Sequence, residues 1–130
     1  MSTFQKFEDI IAWQKARVLC QVIKKYTDKD LFSRDFKLVS QIKASSGSAM
    51  DNIAEGFERG GNKEFVQFLY ISKGSAGETR SQLYRALDNA YITNEEFKHG
   101  YGLADEVGKL IRGLIQHLNG SDLKGDKYKK

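Results

Sequence analysis

Proline is absent from the 130 residues, cysteine occurs once, and no apolar run approaches the length of a membrane span. Each absence excludes something. Without proline nothing forces a helix to kink or stop, so long helices are permitted along nearly the whole chain. Cys20 alone can form neither a disulfide within the chain nor a thiolate metal cluster, which suits a reducing cytoplasm. Met1 to Asp9 mix acids, Lys6 and aromatics, without the basic start and apolar stretch of an export signal. A soluble cytoplasmic protein of one domain, with no membrane partner, is expected.

The formal net charge is +4. Lys124, Lys127, Lys129 and Lys130 against Asp122 and Asp126 place half of it in the last eleven residues. The rest of the chain is close to balance, as a mixed-sign soluble surface would be. Only a patch clustered in three dimensions would make a phosphate-binding face of it.

The apolar residues recur at helical steps. From Glu8 to Thr27, Ile11, Ala12, Ala16, Val18, Leu19, Val22, Ile23 and Tyr26 form one stripe of a first helix. Thr27 to Phe32, with Asp28 and Asp30, reads as a polar connection, and either Ser33 or Asp35 can cap the next helix. That second helix is expected over 35–59, with Leu38, Val39, Ile42, Ala49, Ile53 and Phe57 on one side. Gly60 and Gly61 end it, and Asn62 is the expected N-cap of a third helix. The third helix carries Phe65, Phe68, Leu69, Ser72, Ala76, Thr79, Leu83, Ala86 and Ala90, a stripe small enough in its middle to imply close packing. Thr93-Asn94-Glu95-Glu96 has the spacing of a capping box, opening a fourth helix through Leu103, Val107, Leu110, Ile111, Leu114, Ile115 and Leu118. Gly120 is its expected stop, and 120–130 is expected to be a disordered basic tail. Four amphipathic helices on short connections predict an all-α, antiparallel up-down-up-down four-helix bundle over 1–119.

No catalytic set accompanies this pattern. Asn52 and Glu55 sit three residues apart with no nucleophile or base beside them, so they are expected to belong to a structural polar network with Glu64, Glu78 and Gln82. Glu96 and His99 have the Glu-x-x-His step of di-iron bundles, but such a site needs the motif twice, and no metal or other cofactor is expected. Gly56, Gly60 and Gly61 follow no strand and lack a P-loop ending, and read as turn chemistry. Trp13 reads as a packing anchor. The run Ala44 to Ala49 is small enough for close approach of either a helix or a second subunit.

Trp13-Gln14-Lys15-Ala16, Gln41-Ile42-Lys43, Ser48, Asn52-Ile53-Ala54-Glu55-Gly56, Arg59, Glu64-Phe65, Phe68-Leu69, Gly74-Ser75, Glu78 and Gln82-Leu83 carry a resemblance. In order and spacing they are similar to the four-helix-bundle family named for proteins encoded in intervening sequences of bacterial 23S rRNA genes. The resemblance implies a small cytoplasmic bundle assembled as a ring, typically of five subunits, around a central channel. The accessory protein of diversity-generating retroelements resembles the same family, and its basic barrel engages nucleic acid and a reverse transcriptase. This chain departs from the family pattern where Lys43 is followed by Ala44 rather than a second basic residue, and where Met50 replaces a proline.

The functional expectation is a non-enzymatic homo-oligomeric scaffold, a homopentamer, contacting RNA or DNA through a basic face or rim. The candidate contacts are Lys15, Arg17, Lys24, Lys25, Lys43, Arg59, Lys63, Lys73, Arg80 and Arg85. Five copies of +4 would place 5 × 4 = +20 on one particle, and binding would depend steeply on salt. The alternative is a protein-protein interaction module with no nucleic-acid role, favoured by the near-neutral body and the missing basic residue after Lys43.

Overall fold

The structure, a computed structural model, describes the backbone over residues 4–129 and side chains over 4–120. A 3-10 turn, Phe7–Asp9, leads into α1, Ile11–Thr27; the single-turn α2, Asp30–Ser33, is followed by α3, Phe36–Glu58, α4, Asn62–Asp88, and α5, Asn94–Lys129. The described residues contain no strand. The first helix begins at Ile11 rather than Glu8 because the Asp9 carboxylate accepts from the Gln5 and Lys6 N–H groups at 3.0 and 3.2 Å, and Ile10 is extended. Trp13 packs edge-on against Phe7 in that turn, with ring centroids 5.1 Å apart.

The expected polar connection contains α2, because Phe32 is drawn fully inside and stacks on Tyr91, with centroids at 5.2 Å. Of the two cap candidates, Asp35 serves: its carboxylate accepts from the Leu38 N–H at 3.0 Å and from the Tyr91 hydroxyl at 2.8 Å. These bonds, the backbone one foremost, hold the Asp35 carboxyl below its ordinary range. Gly60, at φ +90, closes α3, and Gly61, extended, occupies the N-cap position of α4, with Asn62 its first helical residue. Gly61 leaves the capping to its backbone, whereas Asn62 was the residue expected there. Ala90 lies beyond α4 in the left-handed region at φ 60 instead of on its apolar stripe. The Thr93 capping box forms, with its N–H donating to Glu96 at 2.9 Å and its hydroxyl accepting from the Glu96 N–H at 3.1 Å. Gly120 does not stop α5, since a glycine lowers helix propensity without breaking hydrogen bonding. The side chains of 121–130, where the basic tail was expected, lie outside the described residues.

Contacts along the helices run in opposite senses. Gln41, Ser45, Ser48 and Ala49 on α3 meet Arg85, Thr79, Ser75 and Ser72 on α4; Tyr84 and Arg80 meet Phe97 and Tyr101 on α5. Tyr26 and Lys15 on α1 meet Glu96 and Glu106. The long helices are therefore antiparallel neighbours in a closed cycle, an up-down-up-down bundle. Its core has two apolar halves, one around Ala16, Ile53, Leu69, Val107 and Ile111, the other around Leu19, Ile23, Leu38, Ile42, Leu83 and Ala104. Burying each of the larger aliphatic side chains stabilises the fold by about 1.5–3 kcal/mol. Between the halves lies a layer of buried hydroxyls and one amide: Ser45, Ser46, Thr79 and Gln82.

Candidate nucleic-acid interface

The basic candidates separate onto different faces. Helix α1 presents Arg17, Lys24 and Lys25 outward, but Lys24 is tied to Asp28 at 2.9 Å. That hydrogen bond leads in holding the Asp28 carboxyl below its ordinary range, with Lys43 from α3 adding its charge. Lys15 faces Glu106 at 3.7 Å. Arg59 pairs with Glu55 at 2.8 Å and lies 5.0 Å over the Phe68 ring; the Glu55 hydrogen bond, with Glu64 adding, raises its already high pKa. Arg85 donates to Gln41 at 2.9 Å, and Lys63 is exposed on the first turn of α4.

Lys73 and Arg80 are placed differently. They stand on the edge of α4 that faces α5, two turns apart, and α5 brings Lys109 and Arg112 to the opposite wall. The four cations surround a groove of about 230 Å3 floored by Ala76, Gly77 and Gly108. A Cβ added at Gly108 would meet nothing within 4 Å, and one at Gly77 only the Arg80 Nη2 at 3.6 Å. One carboxylate, Asp105, shares the groove, 3.5 Å from Arg80 Nη1 and 3.0 Å from Lys109 Nζ. Four positive groups to one negative in a concave seam is the clustered patch that overall composition does not reveal. Lys109 and Arg112 were missed because each sits beside apolar stripe residues of α5; the available signal was Gly108, a small residue with cations one and four positions on.

The polar residues expected to form one network form three groups. Asn52 Nδ2 donates to the Ser48 carbonyl and hydroxyl, both at 2.9 Å, and Ser48 meets the Ser75 hydroxyl at 2.8 Å. Ser45 Oγ donates to Gln82 Oε1 at 2.6 Å and lies 2.7 Å from Thr79 Oγ1, while Gln82 Nε2 reaches Glu78 at 3.3 Å. Glu55 is exposed and turned to Arg59, with Glu64 near the same guanidinium. Glu55 faces outward on α3, and Gln82 on α4 stands opposite Ser45, about two turns of α3 away from Asn52, so the five do not meet in one network. Glu96, the carboxylate of the Glu-x-x-His step, is taken by Lys29 and the Thr93 N–H, and His99 points to solvent. Burial raises the pKa of Glu96, but these bonds prevail and hold it below its ordinary value.

The family model for the 23S rRNA-intervening sequence protein matches residues 8–113, from the start of α1 into α5. The chain belongs to this family. A solved structure from Bacteroides thetaiotaomicron, a protein with unknown function from the S23 ribosomal protein family, superposes with a TM-score of 0.75. The match covers 82% of this chain and 96% of that one at 23% identity, a likeness of fold. Among curated proteins none matches. Within the intervening-sequence fold, no helix of the described residues is long and apolar enough to cross a membrane.

Proposed function

We propose that this intervening-sequence protein is a non-enzymatic, homopentameric scaffold that binds RNA or DNA along the α4–α5 groove. The observation that carries the reading is the gathering of Lys73, Arg80, Lys109 and Arg112 around a glycine floor, with Asp105 the sole carboxylate lining it among the described residues. Such a seam admits a phosphate chain and returns counterions to solvent. Assembly into a ring is supported by apolar side chains left in water, among them Ile11 on α1 and Ile71 on α4. Repetition around a ring multiplies weak phosphate contacts.

Size-exclusion chromatography with light scattering, followed by binding to a labelled oligonucleotide over a salt series, tests both parts. A mass near 5 × 14.8 = 74 kDa is expected, with the logarithm of the affinity falling linearly with the logarithm of salt concentration and binding lost in Lys73→Glu with Arg112→Glu. A monomer mass removes the ring; binding indifferent to those reversals removes the groove. The second reading, a protein-interaction module, is favoured by Phe36 and Leu31, 81% and 55% exposed at the α2–α3 corner. It predicts a partner lost on Phe36→Ser while oligonucleotide binding is absent throughout.

A further inference from the structure

The edge of α4 that walls the groove carries more than charge. Tyr70, Lys73, Gly77, Arg80 and Tyr84 follow one another at steps of three and four, which sets them in a single row facing the α5 side. Both tyrosines are half exposed, 57% at Tyr70 and 50% at Tyr84. Each stands about one turn beyond a cation of the groove, Tyr70 before Lys73 and Tyr84 after Arg80, and offers an aromatic ring to solvent there.

Tyr84 is moreover fixed in place. Its ring lies 4.7 Å from Phe97 and 5.8 Å from Tyr101, centroid to centroid. Phe97 and Tyr101 are themselves 5.5 Å apart. Arg80 sits 5.5 Å from the Tyr101 ring centre and donates to its hydroxyl at 3.3 Å, joining the aromatic group directly to the cations. The ring is thus held by two neighbours, with half its surface open and a guanidinium alongside.

We propose that the α4–α5 seam takes single-stranded nucleic acid, with a base stacked on Tyr84 and the adjoining phosphates held by Lys73, Arg80, Lys109 and Arg112. This rests on the nucleic-acid reading above and narrows it. In a duplex the base faces are already covered by their neighbours, so an aromatic platform gains nothing from it and only the phosphates are felt. In a single strand every base has a free face, and a preorganised ring collects it with little loss of freedom. Tyr70, fourteen residues before Tyr84, lies about 21 Å away along the helix axis. A single strand occupying a site of about 4–16 nucleotides bridges that span, and Tyr70 forms the second platform.

Fluorescence anisotropy of the full chain with an oligonucleotide of about 12 nucleotides, single-stranded and as its blunt duplex, tests this at one salt concentration. The single strand is expected to bind about 10-fold more tightly than the duplex. Tyr84→Ala is expected to lose about 10-fold on the single strand and nothing on the duplex. Tyr84→Phe keeps the platform and should retain single-strand affinity; unchanged duplex binding reports that the bundle is intact. Equal binding of both forms with a silent Tyr84→Ala overturns the stacking and leaves phosphate binding standing. A Tyr84→Ala loss equal on both forms overturns it as well. Absence of binding to either form by the unaltered protein overturns this inference and the nucleic-acid reading together.

Discussion

Helix α4 has two seams, both built from small residues, and they behave in opposite ways. Against α3 it is closed. Gly56 is buried under Phe68 and Phe65, and Ser45, Ser48, Ser72, Ser75 and Thr79 find partners across or along the contact. Against α5 it opens at Ala76, Gly77 and Gly108 into the basic groove. The difference lies in what flanks the small residues. Hydroxyls satisfy one another at short range and draw two backbones together. Four cations sharing one carboxylate repel one another and keep their water, so the absence of side chains there leaves space instead of contact.

Substitutions can break this contrast or sharpen it. Gly56→Ala has the largest expected effect: its Cβ would stand 2.7 Å from the Phe68 Cβ, and overpacking should cost about 3 kcal/mol in urea unfolding. Ser45→Ala should cost about 2 kcal/mol in the same assay, by leaving Gln82 Oε1 buried without its donor. If it is silent, the hydroxyl layer is not what closes the seam. Across the helix the sign reverses. Gly108→Ala, with nothing within 4 Å to meet, should raise stability by up to about 1 kcal/mol through helix propensity, and a loss would mean the groove is closed in solution. Asp105→Asn should move stability least, by about 0.5 kcal/mol for two partly exposed ion pairs. The same change should tighten oligonucleotide binding several-fold and steepen its salt dependence, since one repulsive charge leaves the groove.

The four long helices were legible because each carries an unbroken apolar period and no proline interrupts any of them. Their ends were less so. Phe32 is hidden among Asp28, Asp30 and Ser33, and nothing local announces that it anchors a turn by stacking on Tyr91, fifty-nine residues on. Ala90 fits the period of α4 yet lies past its end, because the chain must reverse there to bring Thr93 to the start of α5. Lys73 and Arg80 were visible as cations. Their union with Lys109 and Arg112 depends on which helix lies beside α4 and at what register, a tertiary fact that helical periodicity does not contain.

The layer of Ser45, Thr79 and Gln82 has a consequence for alignment. Leu83 would slide opposite Ser45 if α4 moved by about one turn, 5.4 Å, along α3, stranding each polar group against aliphatic carbon. Aliphatic halves alone would tolerate such a slip, since one branched side chain replaces another in the stack. The hydroxyls act as teeth that admit a single mesh, and among the described residues no buried side-chain polar atom is left without a partner in it. Because Lys73, Arg80 and Tyr84 are carried on the same rigid rod, the mesh on one side of α4 sets the axial position of the cations on the other.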